Sequence, residues 1–114
     1  LNSMSILPNY MVTDNIIYHT LFEDHKSVIG RCSMKNKNNF LTPHHHDHNE
    51  IYIITRGIGY VYKIDKWIAV KKDDIFLFKS GELHCAKTDD ELEFIYVFDK
   101  GPFNTIKYYM KSKL

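Results

Sequence analysis

Apolar and polar residues alternate with period two through most of the chain. The run 27–34, Ser-Val-Ile-Gly-Arg-Cys-Ser-Met, shows the pattern, as does 91–99, Glu-Leu-Glu-Phe-Ile-Tyr-Val-Phe-Asp. Such alternation in β-branched and aromatic residues predicts half-buried strands. Strands are expected near 15–21, 27–34, 39–43, 50–55, 58–64, 67–70, 75–78, 83–87 and 91–99. Turn-prone breaks separate them, among them 35–39, Asp65-Lys66, 72–74 and 87–90, and Gly57-Ile58-Gly59 offers positive φ for a hairpin. Many short strands at close spacing predict an all-β sandwich or barrel, not a βαβ fold. No segment carries a convincing helical stripe. At the C-terminus Phe103, Ile106 and Met110 follow Gly101-Pro102 at helical spacing, so 103–110 is either one short helix or an edge strand. No internal repeat or low-complexity stretch is visible.

A length of 114 residues sets one domain, 1–114, as the expectation. With 15 basic and 14 acidic side chains the net charge is +1, which leaves no electrostatic footprint for nucleic acid. The basic stretch from Lys107 to Lys113 reads as a solvated end. No apolar run approaches the ~20 residues of a membrane span, and the start lacks the pattern of a signal peptide. A cytoplasmic location is therefore expected. Leu1-Asn2-Ser3 before Met4 reads as an expression remnant. Cys32 and Cys85 are expected as free, buried thiols, with Cys85 pointing away from the face of its neighbour His84.

The chemistry concentrates in 43–57, where His44, His45, His46, His48 and Glu50 are potential metal ligands. Imidazole and carboxylate together suit a divalent transition metal such as iron, manganese, zinc, nickel or copper. In a strand at 43–46, His44 and His46 share a face and His45 points away. Three residues then separate His46 from Glu50, enough for a turn to swing the carboxylate back. A set using His48 would leave one residue before Glu50, too few for that turn. His45 and His48 are thus expected at the rim or surface, and Asp47 and Asn49 as turn residues. A further histidine, His84, follows the turn 79–81. Three imidazoles and one carboxylate can cap one side of a metal and leave positions open for water or substrate. The competing reading is a polar cluster that only hydrogen-bonds.

These residues resemble the cupin superfamily. Its first motif, H-x-H-x(3,4)-E-x(6)-G, is met by His44, His46, Glu50 and Gly57; the family's leading glycine falls at Asn38. Its second motif, G-x(5)-P-x-G-x(2)-H-x(3)-N, is met by Gly81 and His84, while Asp73, Lys79 and Thr88 stand where glycine, proline and asparagine belong. The resemblance covers roughly 40–99. It implies a double-stranded β-helix, or jelly-roll, barrel with one metal bound by His44, His46, Glu50 and His84.

Alternation adds pocket candidates. Tyr52 shares the face of Glu50 and could serve as acid or base near a metal, as the Glu-x-Tyr resemblance to cupin-type dimethylsulfoniopropionate lyases implies; core packing is the alternative. Glu50 could also leave the metal and act as base. Tyr60, Tyr62, Phe76, Phe78 and Tyr96 could line either barrel face, with core packing as the alternative, and Trp67 reads as a cover for the barrel or an interface. Arg31 is a candidate for a substrate carboxylate or, alternatively, a surface ion pair. The expected function is a small metal-dependent cupin acting on a small organic molecule by oxygenation, isomerisation or lyase chemistry. The alternative is a non-catalytic, ligand-binding sensory module, since Glu-Ile-Tyr-Ile-Ile-Thr-Arg-Gly resembles the effector domain of arabinose-regulator-type transcription factors. No helix-turn-helix region follows up to Leu114, so a complete regulator is not expected. A homodimer with 5–21 at its interface is expected, because an N-terminal edge strand invites pairing.

Overall fold

In the computed structural model, which describes residues 2–3, 10–13, 15–36, 39–111 and 114, every period-two run is a strand or contains one. The strands are β1 (Asn2–Ser3), β2 (Tyr10–Thr13), β3 (Ile16–Glu23), β4 (Val28–Lys35), β5 (Asn39–Phe40), β6 (His44–His45) and β7 (Glu50–Gly57). They continue as β8 (Gly59–Lys63), β9 (Lys66–Val70), β10 (Ile75–Phe78), β11 (Cys85–Thr88), β12 (Glu91–Phe98) and β13 (Tyr109–Met110). Both readings of 103–110 hold in part: Phe103–Thr105 is a single 3-10 turn and Tyr109–Met110 is a short strand. Phe103 and Ile106 are buried without any α-helix between them. The strand expected over 39–43 stops at Phe40, and β6 holds only His44 and His45. Asn38 lies outside the described residues, as does part of the segment 5–21.

Three antiparallel sheets form, with orders β1-β13-β6, β10-β7-β12-β4-β3-β2 and β5-β11-β8-β9. The jelly-roll expectation is met. In β4 and β12 the alternation is strict, with Val28, Cys32, Met34, Leu92, Phe94, Tyr96 and Phe98 buried on the inner face. They pack with Ile54, Val61, Phe78 and Ala86 into one core. Tyr60 does not take the core alternative. It is exposed on the outer face of the four-stranded sheet, in register with Lys87. Trp67 is partly buried against the core, with the Lys87 ammonium 4.1 Å from its ring centroid.

Gly57 sits at φ +88°, and a Cβ there would meet the Glu91 carbonyl oxygen at 2.0 Å, so the β7–β8 connection requires glycine. Gly30 is needed for a different reason. The Tyr96 ring lies across it, and an added Cβ would be 2.2 Å from Tyr96 Cζ.

The outer face of the six-stranded sheet is also apolar at its centre. One cross-strand row runs Leu77, Ile51, Val97, Ile29, Phe22. The next runs Ile75, Ile53, Ile95 and then Arg31. Arg31 thus points away from the barrel interior, which removes it as a candidate for a substrate carboxylate inside.

Candidate metal centre

Backbone hydrogen bonds join the two ligand-bearing segments. His44 and His84 form an isolated antiparallel bridge, with N–H to carbonyl distances of 3.1 and 2.9 Å. Gly81, at φ +82°, donates its N–H to the His46 carbonyl at 2.8 Å. Phe78 pairs in register with Glu50. Asn49 ties the same loops from outside: its Oδ1 accepts from the Ser80 N–H at 2.9 Å, and its Nδ2 donates to Asp99 at 2.8 Å. The expected turn role of Asn49 is thus also a staple between segments far apart in sequence.

The result brings His44, His46, Glu50 and His84 together. Their potential ligand atoms all lie within 4.8 Å of one another, and none of the four residues is more than 7% exposed. Each imidazole is oriented from behind. The Nδ1 atoms of His44, His46 and His84 face the carbonyl oxygens of Thr42, His48 and Glu82 at 2.7, 3.1 and 2.8 Å. A carbonyl only accepts, so each Nδ1 carries a hydrogen and each Nε2 is the ring nitrogen left for another partner.

That donor set fits a cation. The Nε2 atoms of His46 and His84 lie 2.9 and 2.8 Å from the same Glu50 Oε1. So close an approach needs a proton or a metal ion between each nitrogen and the carboxylate oxygen. A backbone carbonyl behind each imidazole is the arrangement that usually orients histidine ligands in metal sites. Burial alone would raise the Glu50 carboxyl, but the His46 and His84 rings outweigh it and hold the group down at about 2. Burial, with His84 beside it, pushes His44 down to about 3, so His44 is neutral and available as a ligand at neutral pH.

His45 turns away, as expected, and stacks on Tyr109 at 5.2 Å between ring centroids. His48 does not reach the rim. It is buried, its ring 6.2 Å from both His46 and Phe98, and burial lowers its pKa. Tyr52 is buried on the inner face, 4.1 Å from Phe94 and 5.8 Å from His84 between ring centroids. Burial, then Glu50, raises its phenol well above the ordinary value, so it stays protonated. Both thiols are free and buried, and burial also raises each of them.

Two neighbours of the cluster were not expected from the sequence. Tyr108 lies 5.3 Å from both His44 and His46 between ring centroids. Tyr18, on β3, is packed against the core and lies close enough to Glu50 for the carboxylate to help raise its phenol, after burial. Tyr96, placed by alternation, is buried on the inner face, and burial raises its phenol. The inward period-two positions of β3 are the signal that could have placed Tyr18 here.

A family model described as the AraC-like ligand binding domain matches residues 27–97. A search of curated proteins found no match. Among solved structures, the chain is similar to an RmlC-like cupin from Shewanella frigidimarina, at 15% identity and TM-score 0.74, covering 80% of this chain and 81% of that one. It is similar to KdgF from Halomonas sp., at 16% identity and TM-score 0.73, covering 83% and 90%. It is also similar to the DMSP lyase DddQ from Ruegeria pomeroyi, at 16% identity and TM-score 0.74, covering 86% of this chain and 58% of that one. At these identities the likeness is one of fold.

Proposed function

The chain belongs to the AraC-like ligand binding domain family, and from that premise we propose that it is a metal-dependent small cupin acting on a small organic molecule. His44, His46, Glu50 and His84 would hold one divalent transition metal. The observation that carries this reading is the convergence of three imidazoles and one carboxylate, with potential ligand atoms within 4.8 Å of one another in a buried site. When bound, an iron, manganese, zinc, nickel or copper ion would supply Lewis-acid polarisation of a ligand oxygen or a place for dioxygen.

The chain's own residues divide the remaining work. His44, His46 and His84 are pre-oriented by carbonyls, so little ordering entropy is lost on binding. Tyr52, held protonated, serves as a hydrogen-bond donor or acid beside the site and not as a base at neutral pH. Glu50 is the carboxylate that could exchange a ligand role for a proton-accepting one. Tyr108 and Phe98 wall the imidazoles on the apolar side and limit access of water.

Elemental analysis of purified protein tests the metal: close to one transition metal per chain is expected, falling sharply in His84→Ala. Oxygen uptake and product analysis against small acids, phenols, thiols and sulfonium compounds would then separate oxygenase from isomerase or lyase chemistry. A metal-free protein that takes up none when offered each ion would sink the reading.

A second reading has its own support. The family description favours a module that binds its ligand without turnover. Saturable binding by calorimetry with no product formed would select it.

A further inference from the structure

Three of the four clustered residues, His44, His46 and Glu50, come from one stretch of chain, and His84 comes alone from another. Its ring is held on two sides. From behind, the Glu82 carbonyl faces Nδ1 at 2.8 Å and accepts its hydrogen. On its flat side the Phe78 ring is stacked at 4.4 Å between centroids and 13° between planes. Both supports meet one side chain, Lys63. It ends β8 in the four-stranded sheet, whereas Phe78 ends β10 in the six-stranded one. The Lys63 ammonium donates to Glu82 Oε2 at 2.8 Å and to the Leu77 carbonyl, and it lies 5.1 Å from the Phe78 ring centroid. We propose that Lys63, acting through Glu82 and Phe78, is a positioning residue that holds His84 in ligating geometry; this rests on the metal site proposed above.

The turn before His84 supports this role. Glu82 Oε1 accepts the Lys79 N–H at 3.0 Å, and the Glu82 N–H donates to the Lys79 carbonyl at 2.9 Å. Lys79 stands where the cupin motif has proline, a residue that fixes φ and carries no N–H. In this chain the N–H is present and the Glu82 carboxylate takes it up. A side-chain bond thus fixes the turn where a proline ring would otherwise do so. The second oxygen of the same carboxylate is left for Lys63.

A fully solvated ion pair would contribute little. The Lys63 and Glu82 side chains are only 22% and 20% exposed, so solvent ions screen this pair less. The same ammonium also meets a carbonyl and an aromatic face, which a neutral side chain of equal length would not hold. One charge therefore ties the end of β8, the end of β10 and the turn 79–82 to one another. Groups that orient a histidine ligand from behind matter for binding: losing one usually costs about 10–100-fold in metal affinity.

The test is binding of Co²⁺, read by competition with a chelator and by the visible spectrum of the bound ion. Lys63→Met keeps the stem and removes the ammonium. It should raise the dissociation constant about tenfold or more and shift the cobalt bands. Lys63→Arg should recover part of the affinity. Glu82→Gln should repeat the loss, so the reading survives if Lys63→Met does not fold. Lys71→Met removes an exposed ion pair to Asp74 and should change neither affinity nor spectrum. In a His84→Ala chain, Lys63→Met should weaken cobalt binding no further, because its effect passes through that ring. Lower urea stability of Lys63→Met and Glu82→Gln with unchanged affinity and bands would overturn the proposal, and so would additive losses with His84→Ala. An unaltered chain that takes up no Co²⁺ would instead sink the metal reading itself, and this inference with it.

Discussion

At the scale of single residues, the departures from the cupin motifs are accommodated by side chains that do the same local work. Asp73 stands where glycine is usual and takes φ +76°, a left-handed conformation that Asp tolerates better than most residues. Thr88 replaces asparagine, and its buried hydroxyl donates to the Ile58 carbonyl and accepts from the Asp90 N–H. Gly30 has no such substitute. Gly30→Ala forces a methyl group to within 2.2 Å of Tyr96 Cζ, and overpacking of this kind costs about 1–3 kcal/mol. Urea unfolding should show that loss, and Tyr96→Ala in the same chain should relieve part of it. Additive losses in the double variant would mean the two positions do not contact. At the proposed metal site, Glu50→Gln keeps the shape but removes the one carboxylate charge among three imidazoles. Metal content by elemental analysis should fall, with the thermal midpoint of the chelator-treated protein changing less than that of the metal-loaded one.

At the scale of elements, the site depends on loops tied together across long sequence separations. Asn49→Ala removes the side-chain bonds to Ser80 and Asp99. The expected cost is about 1–2 kcal/mol in chemical denaturation, with weaker metal retention, since Ser80 lies in the turn before His84. Unchanged metal affinity would show that the His44–His84 bridge alone holds the segments. The four clustered residues were legible because strand, turn and strand constrain H-x-H-x(3)-E to one face. Tyr108 was not, because β13 has two residues and no period, and its place is set by pairing Tyr109 with His45. Nor was the burial of His48, a turn residue that meets Phe98 across a tertiary contact. In β7 both faces are apolar over Ile51–Ile54, so periodicity could mark a strand there but not the side that faces solvent. That ambiguity is the sequence trace of the outer rows.

At the scale of the whole molecule, four buried ionisable groups around one point make stability depend on pH and on metal together. In metal-free protein, His44 is lowered from 6.5 to about 3 and Glu50 from 4.5 to about 2. Both therefore bind protons more tightly in the unfolded chain, and protonation favours unfolding. The contribution of His44 is complete above pH 6.5 and is lost as pH falls toward 3; that of Glu50 is complete above 4.5 and is lost toward 2. Calorimetric melting in the presence of chelator should thus show a midpoint that drops on acidification from neutral. His44→Gln should flatten the slope from pH 6.5 down to about 3, leaving below 4.5 only the part that Glu50 contributes. A bound metal adds stability in proportion to the logarithm of its concentration over its dissociation constant, and its ligands must be deprotonated. The gap between metal-loaded and chelated midpoints should be widest near neutral pH and close in acid. A gap that stays constant on acidification would place the ion on groups other than these imidazoles, and a slope unaffected by His44→Gln would mean that His44 is not held neutral in the folded chain.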